Sequence, residues 1–217
     1  MNYRQIIITT IILLMFAIIG TALVSYTFDS TRERIAANER ATLLRKLHRL
    51  VPPERHDNVL LDDVIEVRNQ RLLGTDEPVM VYRARKNGKA VALVIAPVAP
   101  DGYSGSIKLL VGINIDGTLS GVRAVAHRET PGLGDAIEEE RSDWILGFTG
   151  RSLEQTPVDR WKVRKDGGDF DQLTGATITP RAVVQAVRNA LLYYRQHQET
   201  LLAARIQEPA KGNDQGE

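Results

Sequence analysis

Two stretches decide the fold: VMVYRARKNGKAVALVIAP at residues 79–97 and IKLLVGINIDGTLSGVRAVA at residues 107–126. Each is rich in Val, Ile and Leu with stretches of alternation, and each is broken once by a dipeptide suited to positive φ, Asn87-Gly88 in the first and Asp116-Gly117 in the second. Such dipeptides between β-type runs are the strongest local hairpin signal. The pattern therefore predicts strands at Val79–Lys86, Ala90–Pro97, Ile107–Ile115 and Leu119–Ala126, joined as two hairpins.

Downstream, Asp135–Phe148 reads as a short helix with Trp144, Ile145 and Leu146 near its end, and Arg160–Lys165 reads as a further strand. A final helix is expected from Pro180 to about Ile206. Thr179 is its expected N-cap and Pro180 its first residue, with Val183, Val187, Ala190, Leu191 and Tyr194 on one apolar face. Strands followed by a closing helix imply an α+β domain, an antiparallel or mixed sheet packed by its C-terminal helix. The polar end QEPAKGNDQGE, residues 207–217, is expected to be disordered.

Upstream, Ile6–Phe28 reads IIITTIILLMFAIIGTALVSYTF without a charged residue. At ~1.5 Å rise per residue it can cross a hydrocarbon core of roughly 30 Å. A cleaved secretory signal is the rival reading, but the apolar stretch is long and no clear small-x-small cleavage site follows, so a retained anchor is expected. From Ser30 to Val51 the pattern is again helical, with Ile35, Leu43, Leu44, Leu47 and Leu50 among charged neighbours and Pro52-Pro53 as a stop. The expected organisation is an N-terminal segment at 1–28, a helical stalk at 29–53, a globular domain at 54–206 and the tail. Arg32, Arg34 and Arg40 after the apolar run, against Arg4 before it, point by the positive-inside count to a cytoplasmic C-terminal domain.

Composition removes whole classes of function. The 217 residues include 28 basic and 27 acidic side chains, a net charge of +1, so no strong field recruits polyanions. There is no cysteine, which excludes disulfides, thiolate metal sites, iron–sulfur ligation by this chain and a thiol nucleophile. His48, His56, His127 and His197 show no metal-ligand spacing, and no HExxH, Walker or GxGxxG pattern occurs. Neither a catalytic residue nor a metal site is predicted.

Three glycine-bearing loops carry what chemistry remains. In Asp171-Gln172-Leu173-Thr174-Gly175-Ala176-Thr177 a small-residue turn ends in a hydroxyl and enters a helix N-terminus, where unpaired N–H groups and the helix dipole favour a phosphate. The same threonines could equally serve only to close the turn. In His127-Arg128-Glu129-Thr130-Pro131-Gly132-Leu133-Gly134-Asp135 two glycines permit backbone shapes that expose N–H groups to a planar ligand, or simply a turn capped by Asp135. In Gly102-Tyr103-Ser104-Gly105-Ser106 the tyrosine can flank a ring or cover a core edge.

ETPGLGD followed by DQLTGAT resembles the FMN-binding domain family, in which flavin mononucleotide is joined by a phosphoester to the last residue of a D-x-x-[ST]-G-A-[TS] motif. With one membrane helix before a domain of this size, nearly the whole chain is similar to the G subunits of Rnf (Rsx) electron transport complexes. The resemblance makes Thr177 the covalent FMN acceptor. Asp171, Thr174, Gly175 and Ala176 complete the sequence read by a flavin transferase that uses FAD and magnesium. It places Glu129, Thr130, Gly132, Leu133 and Gly134 along the flavin, and Tyr103 more loosely.

It further implies an electron-transfer subunit, not catalytic alone, in the bacterial inner membrane. Partners would be the complex's A, B, C, D and E subunits, and the complex would couple electron flow between ferredoxin and NAD to ion movement. It implies a periplasmic flavin domain, against the arginine count. The C subunits of sodium-translocating NADH:quinone reductases share these motifs but tend to be longer; a flavin-free membrane scaffold is the alternative of another class.

Overall fold

The computed structural model describes residues 3–203. The polar end at 207–217 and the last turn expected for the final helix lie outside the described residues. Helix α1 runs Tyr3–Leu50, and the chain divides within it into two compact units, 1–43 and 44–217. The first is helical, and the most apolar window of α1, with a mean hydropathy of 2.7, is long and apolar enough to cross a membrane. Its Ile, Leu, Met and Phe side chains from Ile6 to Phe28 are exposed, as suits a helix whose partner is lipid.

The second unit is a six-stranded, wholly antiparallel sheet with a long helix across one face. The strands are β1 (Val64–Val67), β2 (Val79–Lys86), β3 (Lys89–Ile95), β4 (Val98–Ala99), β5 (Ile107–Asn114) and β6 (Leu119–Ala126). A single-turn helix α2 spans Gln70–Leu73, and helix α3 spans Ile178–Leu202. Both predicted hairpins form: β2 pairs β3 across Asn87-Gly88, and β5 pairs β6 across Asp116-Gly117. Strand β5 pairs β3, β4 and β6.

Alternation along the strands sends Val81, Leu93, Ile95, Val111, Ile113 and Val122 into one core with Val183, Val187, Ala190 and Leu191 of α3. The apolar stripe predicted for the final helix is the one that packs. At the far end of α3, Arg83 and Arg85 share the buried carboxylate of Asp63, and both donate to the carbonyl of Ala203, at 3.2 and 2.6 Å. Basic donors there satisfy a carbonyl that the helix leaves unpaired.

A second apolar cluster of Leu47, Leu50, Val51 and Leu60 is buried outside that core. Gly112 and Gly121 are paired across β5 and β6, and a Cβ on either would stand 3.1 Å from the Leu50 side chain. Two facing glycines thus flatten the sheet where Leu50 seats. Lys46 donates to the Ala124 carbonyl at 2.6 Å, and Arg49 pairs with Glu139 and Glu140, so the last helical turn before Pro52 is fixed by polar contacts beside its apolar one.

Three local expectations are corrected. Asp135–Phe148 is two 3₁₀ turns, Gly134–Ile137 and Asp143–Phe148, because Ser142 interrupts: its hydroxyl bonds the Ala136 carbonyl and accepts from the Trp144 N–H. Arg160–Lys165 is no strand but lies across 3₁₀ turns at Val158–Arg160 and Arg164–Asp166, with a single bridge from Val163, between them, to Phe170. The chain doubles back there so tightly that a Cβ on Gly168 would meet the Lys162 carbonyl at 1.9 Å. Thr179 does not cap α3: Thr177 holds the cap position, and Thr179 lies inside the first turn with its hydroxyl given to Glu129.

Truncating Leu50 to Ala should cost about 2–5 kcal/mol, since its 1 % exposed side chain leaves a cavity against a glycine floor that cannot collapse. Denaturant unfolding of the full chain in detergent measures it. Leu44→Ala, at a half-buried position in the same helix, should cost less.

Candidate functional site

Where α3 begins, its N-terminus meets the loop that leaves β6 and the loop that precedes β5. A cleft of about 400 Å³ opens there, lined by Tyr103, Glu129, Thr130, Leu133, Gly134, Gly175, Ala176, Thr177, Ile178 and Thr179. Its volume lies within the roughly 300–1,000 Å³ usual for small-molecule sites. Residues from three stretches far apart in sequence therefore converge on one space. The pattern reading missed Ile178 and Thr179; a helix start directly after a candidate ligand loop was the available signal for both.

The two motif loops touch. Gly175 has φ +79° and Gly132 has φ +77°, so both occupy the left-handed region that favours glycine. A Cβ on Gly175 would lie 2.7 Å from Leu133 Cδ2, whereas one on Gly132 would meet nothing within 4 Å. Leu133 of the first loop thus rests on the bare backbone of the second. Its other surface remains open, with Leu133 42 %, Ile178 44 % and Tyr103 68 % exposed, an apolar border suited to a flat ring.

Thr177 lines the cleft at the cap position of α3. It is exposed and its side chain makes no capping hydrogen bond to α3, so its hydroxyl is not consumed by the helix it precedes. The N–H groups of the first turn of α3 have no intrahelical acceptors and, with the helix dipole, favour an anion at this spot. A phosphate beside the Thr177 oxygen would meet both.

Glu129 forms the buried wall. It is 4 % exposed; one carboxylate oxygen accepts from the Ser104 N–H at 3.0 Å and the other from the Thr179 hydroxyl. Its own N–H donates to His127 Nδ1 at 3.2 Å, and His127 Nε2 pairs with Glu138 at 2.9 Å. With Nδ1 as acceptor, the ring carries its proton on Nε2 and donates it to Glu138.

Asp171, Thr174 and Gly132 do not line the cleft. Asp171 is exposed on the outer side of its loop, where Arg164 pairs with its carboxylate at 2.7 Å and Trp144 Nε1 donates to its carbonyl at 2.7 Å. The left-handed turn at Gly175 reverses the chain between Asp171 and Thr177, so motif neighbours in sequence point to different surroundings. Further round the same domain, Arg181 in the first turn of α3 forms a two-pronged pair with Asp166, and that hydrogen bond holds the Asp166 carboxyl below its ordinary range.

Residues 102–192 match the family model described as an FMN-binding domain, and residues 1–50 match the one described as the RnfG N-terminal region. The chain is 49 % identical over 194 residues to the G subunit of the ion-translocating oxidoreductase complex of Pseudoalteromonas atlantica, covering 89 % of this chain and 90 % of that protein. It is 47 % identical to the protein of the same name from Shewanella loihica, over 92 % of this chain and 94 % of the other. Against that of Vibrio cholerae it is 49 % identical, over 88 % and 91 %.

The close approach of Leu133 to Gly175 gives a paired expectation. Gly132→Ala and Gly175→Ala carry the same left-handed backbone penalty, about 1 kcal/mol each. Only Gly175→Ala also displaces Leu133. Thermal unfolding should therefore show the larger loss for Gly175→Ala, and hydrogen exchange should quicken around residues 130–135 in that variant alone.

Proposed function

The chain belongs to the family of ion-translocating oxidoreductase complex G subunits, and on that premise we propose that it is an electron-carrying subunit whose FMN is joined through its phosphate to the side-chain oxygen of Thr177. The observation that carries this reading is the uncommitted Thr177 hydroxyl at the N-terminus of α3, in a cleft shared by the ETPGLG and LTGAT loops. The residues present fit the group. Tyr103, Leu133 and Ile178 offer apolar surface to the ring, and the first-turn N–H groups of α3 receive the phosphate.

When bound, the flavin supplies the one- and two-electron chemistry that no side chain of this protein provides. The protein's part is holding and orienting. The N–H groups at the α3 N-terminus favour the phosphodiester charge by only ~0.3–1 kcal/mol, too little to retain a cofactor in so open a cleft. A covalent bond to Thr177 removes that difficulty and lets the border at Leu133 and Tyr103 stay accessible to neighbouring carriers.

Thr177 does not activate itself. An alkyl hydroxyl needs a base, and His127 is committed to Glu138 and to the Glu129 amide. Attachment therefore falls to a separate flavin transferase working from FAD with magnesium, which reads Asp171, Thr174, Gly175 and Ala176. The exposure of Asp171 supports such reading from outside the cleft.

Within the complex the subunit relays electrons between the ferredoxin and NAD sides. Ile6–Phe28 carries no charge, so the ion path belongs to other subunits of the complex. The flavin domain faces the periplasm. The arginine count opposes this, but long translocated domains obey that count poorly.

Made together with its transferase, the chain should give a Thr177 peptide heavier by one esterified FMN on mass spectrometry. Thr177→Ala should lose all flavin on denaturation and Thr177→Ser should keep it; retention by Thr177→Ala overturns the assignment. The absence of native cysteine makes topology readable from one introduced thiol. Lys89→Cys, at the exposed first residue of β3, should react with a membrane-impermeant maleimide in cells whose outer membrane alone is permeabilised.

A further inference from the structure

Thr179 is two residues beyond the acceptor and is absent from the attachment motif, yet it is 1 % exposed and gives its hydroxyl to Glu129. The other Glu129 oxygen takes the Ser104 N–H at 3.0 Å. One buried carboxylate thereby joins the first turn of α3 to the loop before β5, while its backbone belongs to the loop after β6. The surroundings are cut to fit it: a Cβ on Gly102 would stand 2.9 Å from Glu129 Oε1, and one on Gly134 would stand 2.9 Å from Oε2 and 3.0 Å from Thr179 Oγ1. The ETPGLG and GYSG loops each give up a side chain where this carboxylate sits.

From this we propose that Glu129 and Thr179 are positioning residues for modification of Thr177. Their bond fixes the rotation and height of the α3 start, so that the Thr177 hydroxyl is presented to the transferase. Both carboxylate oxygens are occupied by donors from the protein, which keeps the Glu129 charge engaged away from the incoming phosphate. Glu129 acts through the helix rather than by contact with the phosphate. The inference rests on the covalent reading above.

The test is the time course of Thr177 modification in the full chain in detergent, with FAD, magnesium and a flavin transferase, followed by mass spectrometry. Thr179→Val and Glu129→Ala should each slow attachment by about tenfold or more, the scale expected of a displaced reacting group. The double variant should be no slower than the slower single one, because the two residues form one unit. Thr179→Ser should restore the rate, and so should Glu129→Gln, whose amide can still accept from Ser104 and donate to Thr179. In the Thr179→Val chain without flavin, the amides of residues 176–180 should exchange faster than in the parent, and those of the β2–β3 hairpin should not. If Thr179→Val does not fold because Glu129 loses its donor, the Glu129→Gln, Thr179→Val pair removes the buried charge, still lacks the bond, and carries the same decision.

Attachment at the parent rate in Thr179→Val, or effects that multiply in the double variant, overturns the clamp while leaving Thr177 as acceptor. An unmodified Thr177 in the parent chain overturns both.

Discussion

A carboxylate removed from water has to be met by donors, and Glu129 is met from two directions at once. Several kcal/mol of desolvation attend such a group, and here the Ser104 amide and the Thr179 hydroxyl offset it. Either donor alone would leave an oxygen unsatisfied. The requirement for both brings the loop before β5, the loop after β6 and the head of α3 to one point, and the cleft is the space left between them.

The opposite end of α3 is held by similar means. Arg83 and Arg85, sharing Asp63, grip the Ala203 carbonyl from the sheet. Between these polar fixtures lies the apolar contact of Val183, Val187, Ala190 and Leu191 with the strands. Apolar packing supplies most of the adhesion but permits sliding by a residue or a turn. The directional bonds at the two ends fix the register, and register determines where the Thr177 oxygen stands.

Openness of the cleft is what gives the proposed covalent link its purpose. A site that buries its ligand can hold it by contact area; one bordered by exposed Leu133, Ile178 and Tyr103 cannot, yet such a border brings a flavin close to whatever carrier docks beside it. A relay benefits from access more than from enclosure. On the proposed covalent reading the same logic accounts for the sparse chemistry in this chain: orientation and attachment would be required of it, and proton-transfer machinery around Thr177 would not.

The amino-acid sequence by itself determined the elements whose signals are local. Asn87-Gly88 and Asp116-Gly117 set both hairpins because positive φ is a property of the dipeptide, and Pro52 ended α1 because proline lacks the donor a helix needs. The uncharged run at Ile6–Phe28 and the two glycine-bearing motifs were legible for the same reason. What depended on distant partners was not: the failed strand at Arg160–Lys165 had suitable residues but only a single bridge, Val163 to Phe170, in place of a ladder, and the helix expected at Asp135–Phe148 yielded to the bonds of Ser142. Only the tertiary structure decided that Thr179 would be a ligand of Glu129 instead of a cap, and that Asp171 would turn outward to Arg164. Those outcomes rest on contacts between residues up to fifty positions apart, and a side chain's preference for its nearest neighbours carries no information about them.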